Sequence, residues 1–409
     1  MRRAAFLVCL GAGLLTPPAE AEETQNIGGL ALLKATRTEA APSLLSLPGA
    51  DYSTKSGEAA ILADGDTNGL RYRIRGEAFA YSGRETEWAV KIKELAYGRR
   101  LNEAWSVSIG KQVRSWDSGL AYQPLGFFRK GLDLADPFDS EGRVEGLPML
   151  VVTRLGARGN LEGVVSAPLS GPSATSANER QWAVRLSGDI TPSINAAWIV
   201  RQRDHAPPGV GASANWARDR LQLHADAFYG RPPVRLTARS LHETPRLYTL
   251  RSTLLQDQRK AVFDAVAGLT WTATDYFEIN AEWIHRGEGA GTTEWLSYLD
   301  QVEYHRVALS GAQAPLALAN LAWDLSALPA RRDHLFVMMR APIGRATYSL
   351  SSFFTVADAS SIVNARASWL LAHHASVSLS ATAYTGANRS AFGLLPLRGA
   401  AYVSLSQPF

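Results

Sequence analysis

From Gly69 to the last residue, apolar and polar side chains alternate with a period of two, in stretches of about 9–12 residues. In 69–80, Arg71, Arg73, Arg75 and Glu77 alternate with Leu70, Tyr72, Ile74 and Ala78. In 86–97, Trp88, Val90 and Ile92 stand against Lys91 and Lys93. Successive side chains of a strand point to opposite faces, so each stretch reads as a strand with one apolar and one polar face. Nine to twelve residues is also about the length a tilted strand needs to cross a bilayer.

About sixteen such segments follow one another: 69–80, 86–97, 103–112, 148–157, 160–168, 180–190, 193–203, 209–217, 219–229, 262–273, 276–286, 333–341, 345–356, 360–371, 374–385 and 398–409. The even count predicts an all-β, antiparallel transmembrane β-barrel over 69–409, with 14 or 18 strands also compatible with the weaker segments. The connections agree. Those after every second strand are short, such as Arg158-Gly159 and Thr191-Pro192, and the long ones (113–147, 230–261, 287–332, 386–397) all fall at the other end. Short turns on the periplasmic side and long loops outside give that parity. Tyr81, Trp88, Tyr97, Trp105, Trp182, Trp271 and Trp283 lie near segment ends, where aromatic girdles meet lipid interfaces.

The N-terminus reads as a signal peptide over 1–21: Arg2 and Arg3, an apolar run from Ala4 to Leu15, then Ala19-Glu20-Ala21. Residues 22–68, with Gly28-Gly29, Pro42 and Pro48-Gly49 and patchy apolar residues, read as a periplasmic arm that trails free or enters the lumen. The single cysteine, Cys9, falls in the signal peptide, which leaves no thiol for disulfides, nucleophiles or metal ligation. No cofactor is expected. A formal net charge of +4 gives no support to nucleic-acid binding.

In a membrane barrel the apolar face meets lipid and the polar face lines the interior. Alternation then assigns a pore-lining basic sector of Arg71, Arg73, Arg75, Lys91 and Lys93, extended by Arg185 and Arg201. An acidic sector of Asp226, Glu278 and Glu282, with Asp264, faces it. This predicts an outer-membrane channel passing or exporting polar, anionic solutes, either small molecules or a polysaccharide. The same charges can instead pair with one another or with the arm. The run 294–309 carries Trp295, Tyr298, Leu299 and Val302 at helical spacing, which fits a helix that folds inward as a constriction or packs on its own loop.

The loop 230–261 is basic, which suits an anion funnel or lipopolysaccharide phosphates. The acidic loop with Asp133, Asp136, Asp139, Glu141 and Glu145 misses the spacing of a calcium loop and reads as solvated. No nucleophile or metal motif occurs; His224 and Asp226, two apart on one face, are the one pair compatible with a rim hydrolase. A sealed barrel acting as a receptor or adhesin through its loops is the remaining class.

The end of the chain, Ala401-Tyr402-Val403-Ser404-Leu405-Ser406-Gln407-Pro408-Phe409, resembles the C-terminal strand of bacterial outer-membrane β-barrels. That resemblance implies an outer-membrane location and makes Phe409 the signal for the barrel-assembly machinery. Gly110-Lys111-Gln112 loosely resembles a stretch of alginate-export-type barrels.

Overall fold

The computed structural model describes residues 26–46, 53–128, 136–138, 145–167, 180–204, 206–231, 236–238, 254–256, 261–274, 277–308, 331–371 and 374–409. Eighteen antiparallel strands form one sheet, which closes because the first strand pairs with both the second and the last. In chain order these are β1 (Asn26–Ala40), β2 (Thr54–Thr67), β3 (Leu70–Tyr81), β4 (Glu87–Arg100), β5 (Trp105–Gln112), β6 (Leu147–Leu155), β7 (Gly159–Ser166), β8 (Gln181–Thr191), β9 (Ile194–Arg203), β10 (Gly209–Arg218) and β11 (Leu221–Gly230). A two-stranded ribbon, β12 (Leu236–Ala238) and β13 (Leu254–Gln256), sits in the next loop. The barrel continues with β14 (Val262–Thr274), β15 (Phe277–Arg286), β16 (Asp333–Ile343), β17 (Ala346–Thr355), β18 (Ser361–Leu370), β19 (Ser376–Thr385) and β20 (Leu397–Pro408), and a helix α1 (Thr292–Ala308) stands between β15 and β16.

All sixteen expected segments are strands, and two more precede them. The segment 22–68, expected as an arm, supplies β1 and β2, so the count is eighteen and the barrel begins at Asn26. The expected signal peptide lies outside the described residues. Two features hid these strands. In β1 the apolar Leu30 and Leu32 fall on the same side as Lys34, while Arg37 and Glu39 take the side of the exposed Leu33, so the polarity of the two faces reverses along the strand. In β2 the outward positions are mostly Gly57, Ala59, Ala63 and Gly65, too small to register as an apolar face. Parity is preserved, because a pair of strands was added at one end.

The hairpin from β2 to β3 turns on Asn68-Gly69, with φ of 50° and 80°. Positive φ at both positions defines the two-residue turn that suits the twist of paired strands. A Cβ on Gly69 would lie 2.1 Å from the Gly98 carbonyl oxygen, against backbone that cannot step aside. Gly69→Ala is therefore expected to lower stability by about 1–3 kcal/mol, read as an earlier midpoint in urea unfolding from detergent; an unchanged midpoint would contradict this turn.

Outward side chains are apolar and exposed: Ile74, Val90, Ile109, Val184, Trp198, Leu350, Leu379 and Val403 are each at least 38% accessible. Such a surface suits lipid and would be costly in water. Among the described residues no helix is long and apolar enough to cross a membrane. The chain ends against β1, where the Phe409 amide and carbonyl both pair with Gly29 at 3.0 Å.

Candidate functional site

The connection between β5 and β6 folds back into the barrel. Its first part, 114–128, is held by two carboxylates on one stretch of wall, on the two strands that flank β14. Asp226 on β11 accepts hydrogen bonds from the Ser118 amide (2.8 Å), the Ser118 hydroxyl (2.9 Å) and the Gly119 amide (3.1 Å). Glu282 on β15 accepts from the amides of Leu120 (2.5 Å) and Ala121 (2.9 Å). Asp226 and Glu282 are 2% and 3% exposed. Backbone N–H groups carried into a barrel need acceptors, and a carboxylate gives each a charge-assisted bond.

The loop can present four consecutive amides because it turns sharply. The Asp117 carboxylate accepts from the Leu125 amide at 2.6 Å, which closes the turn from within. A Cβ on Gly119 would lie 2.2 Å from the Tyr122 carbonyl oxygen. Gly119→Ala is expected to open this turn and raise single-channel conductance while the barrel still folds; a conductance equal to that of the unaltered chain would count against the loop's placement.

Behind the loop the wall is apolar. Trp116, Leu125 and Phe128 pack on the inward Val151, Val164 and Ile199, and Leu120 to Tyr122 pack on Val266, Ile284 and Phe336. The Trp116 indole donates to Glu162 at 2.6 Å. Arg201 on β9 donates to Gln181 at 2.9 and 2.6 Å and lies over the Phe127 ring at 4.2 Å. The inner face from β6 to β17 is thus partly a hydrophobic seat for the loop. The polar lining expected all round gives way here, because residues covered by a loop are not wetted.

The basic sector is on the inner side, and it is paired. Register sets Arg71 opposite Asp66 and Arg73 opposite Asp64 across β2 and β3. Arg71 also reaches Glu94 at 3.5 Å, and Arg73 reaches Asp64 at 3.6 Å. Arg75 bonds Glu58 and, at 2.9 Å, Glu77, and Glu77 also holds Lys91. A bulge in β4 pairs Arg73 with Glu94 but Ile74 with Ile92, so Lys93 is the extra residue, and Lys93 and Glu94 are both buried. Four of the five cations, Arg71, Arg73, Arg75 and Lys91, are therefore paired with five carboxylates, Glu58, Asp64, Asp66, Glu77 and Glu94. Of the two expectations for these charges, structural pairing with the preceding segment is the one the geometry meets.

The other predicted residues lie as follows. Arg185 on β8 is inward and opposite Glu162 in register. Glu278 accepts from the Asn280 side-chain amide at 2.7 Å and stands opposite Arg340. Asp264 accepts from the Gly287 amide at 2.8 Å. The acidic sector is thus occupied in holding loops and neighbours. His224 meets Glu282, at 3.2 Å, while Asp226 is engaged by the loop, so the expected His224 and Asp226 pair is divided between two tasks. Helix α1 packs beyond its own loop, which neither of its two expected courses foresaw. Its Trp295, Tyr298, Leu299 and Val302 pack with Leu45 from the connection between β1 and β2 and with Leu394 from that between β19 and β20. Of the acidic loop, Glu145 lies 3.9 Å from Lys111 and Asp136 bonds Lys34 at 2.8 Å; Asp133, Asp139 and Glu141 lie outside the described residues. Most of the basic loop 230–261 does so as well. Among the described residues no cluster of His, Cys, Asp and Glu could hold a metal.

The inward loop escaped the sequence reading because 114–128 carries no periodicity. The pattern Asp117-Ser118-Gly119 was a turn signal, but nothing local says into which compartment a turn folds.

No protein-family model matches the sequence, and no curated protein matches it. Among solved structures, the chain is similar to Acinetobacter baumannii OccAB1, with a TM-score of 0.54 and 10% identity over 95% of this chain and 97% of that one. Pseudomonas aeruginosa OccK5 gives a TM-score of 0.47 at 6% identity over 93% and 98%. A mutant of Rhodopseudomonas blastica porin gives 0.46 at 12% over 94% and 100%. At such identities the likeness concerns the fold alone. The fold is that of the porin-like β-barrels of the bacterial outer membrane.

Proposed function

We propose that the protein is an outer-membrane channel for small polar solutes, with a preference for anions, narrowed by the loop 114–128. The observation that carries this reading is the anchoring of Ser118 to Ala121 on Asp226 and Glu282, deep on the inner wall. A loop fixed there by buried carboxylates is a built constriction, whereas a barrel that only displays external loops has no use for one. The loop also reaches the far wall, where Asp136 bonds Lys34 and Tyr402. A strand of chain anchored on two walls favours small solutes over a polysaccharide. Since the Arg71 to Lys93 cluster is balanced by carboxylates and Lys34 is bonded to Asp136, the preference for anions falls to cations elsewhere on the wall, Arg366 first among them. Lipopolysaccharide would contact the outer rim, and Phe409 would serve assembly. Liposome swelling tests the proposal: small sugars and sugar acids are expected to enter and oligosaccharides to be excluded, and liposomes impermeable to all of them would favour a sealed receptor.

A further inference from the structure

The wall from β18 to β1 differs from the rest of the interior. Register aligns Arg366, Ser380 and Tyr402 in one row across β18, β19 and β20. The neighbouring row runs through Ser378, Ser404 and Lys34 into β1. Both rows are on the inner side, and their hydroxyls and two cations make a patch with hydrogen-bond donors throughout.

The chain places one of its own anions on this patch. The Asp136 carboxylate accepts from Lys34 Nζ at 2.8 Å with one oxygen and from the Tyr402 hydroxyl at 2.9 Å with the other. Lys34 also lies 4.0 Å from the centre of the Tyr402 ring. Two residues further on, the Phe138 carbonyl accepts from Arg366 Nη1 at 3.2 Å, and Arg366 Nη2 donates to Ser378 at 3.0 Å. The Asp136 and Lys34 side chains are 13% and 21% exposed, so the pair is partly screened from water and still reachable from the lumen. One wall carboxylate, Glu58, stands opposite Lys34 in register but is bonded to Arg75.

We propose that Lys34, Tyr402 and Arg366 form a binding site for small carboxylate anions, and that Asp136 occupies it as an internal competitor. For the route by which a solute arrives, this rests on the channel reading. An ammonium and a phenol hydroxyl, one to each oxygen, match a carboxylate and supply charge-assisted bonds. The adjacent guanidinium adds attraction, and the serine hydroxyls solvate the remainder of the anion. Because Asp136 is tethered, its effective concentration at the site is high, and an incoming anion binds only by exchange. Weak, exchangeable binding is what a conducting site requires, since a solute must leave as readily as it enters.

The test is saturation-transfer NMR with acetate on the full chain refolded in detergent, with tetramethylammonium as the control for charge sign. The intact chain is expected to bind acetate weakly. Asp136→Ala is expected to tighten acetate binding by about tenfold or more. Adding Lys34→Met and Tyr402→Phe to Asp136→Ala is expected to abolish that gain. Heat-modifiable mobility checks the fold of each variant, and Asp136→Asn replaces the alanine variant if the latter misfolds. An Asp136 variant that binds acetate no more tightly than the intact chain, or a triple variant that keeps the gain, would overturn the site. The readout is binding and not current. A conducting barrel without this gain fails the site alone, and a silent barrel that shows it fails the channel reading alone.

Discussion

Glu77→Gln is expected to destabilise the barrel by about 3–5 kcal/mol and to shift the reversal potential toward anions in a KCl gradient. Glu77 is buried and holds Arg75 and Lys91 together. Removing one member of a buried charge cluster leaves the rest uncompensated, and the cost of that exceeds what an exposed pair contributes. The opposite change, Arg71→Ala, Arg73→Ala and Arg75→Ala together, is expected to turn selectivity toward cations, since it exposes the five partner carboxylates. A matched removal separates pairing from an unpaired basic wall. Arg73→Ala with Asp64→Ala is expected to restore most of the reversal potential lost in Arg73→Ala alone, as a double-mutant cycle with real coupling requires. Additive shifts would show that the two charges, 3.6 Å apart here, act independently.

Replacing both loop anchors, Asp226→Ala with Glu282→Ala, is expected to raise single-channel conductance about two- to threefold. Five hydrogen bonds from Ser118, Gly119, Leu120 and Ala121 end on these two carboxylates. At about 1.5–3 kcal/mol for each bond to a charged group, their loss outweighs what the apolar seat of the loop returns. The barrel itself is expected to persist, because strand pairing through β11, β14 and β15 uses backbone groups that these changes leave intact. Either single variant is expected to give a smaller effect, since each carboxylate holds a different pair of amides. His224, which meets Glu282, also loses that partner in the second change.

These expectations show where the sequence was legible. Strands β3 to β11 and β14 to β20 were readable because their outward faces carry large apolar residues such as Val90, Leu186 and Leu379. β1 and β2 were not, since in β1 Leu30 and Leu32 point inward while Arg37 and Glu39 point outward, and in β2 the outward side is mostly glycine and alanine. The Asn68-Gly69 dipeptide was a hairpin signal before β3 and implied a strand on its other side. Glu58, Asp64 and Asp66, even-numbered and on one face, marked that strand's polar side and the partners of Arg71, Arg73 and Arg75. Alternation correctly placed Asp226 and Glu282 on the inner face. It could not say that a loop more than a hundred residues earlier in sequence would claim them, because that contact is long-range and carries no local period.

The most direct test of the central claim, a conducting barrel narrowed by its own loop, is single-channel recording of the refolded chain beside the Asp226→Ala and Glu282→Ala double variant. The account predicts a resolvable open conductance in the unaltered chain and a larger one in the variant. Two silent barrels, or two equal conductances, would contradict it.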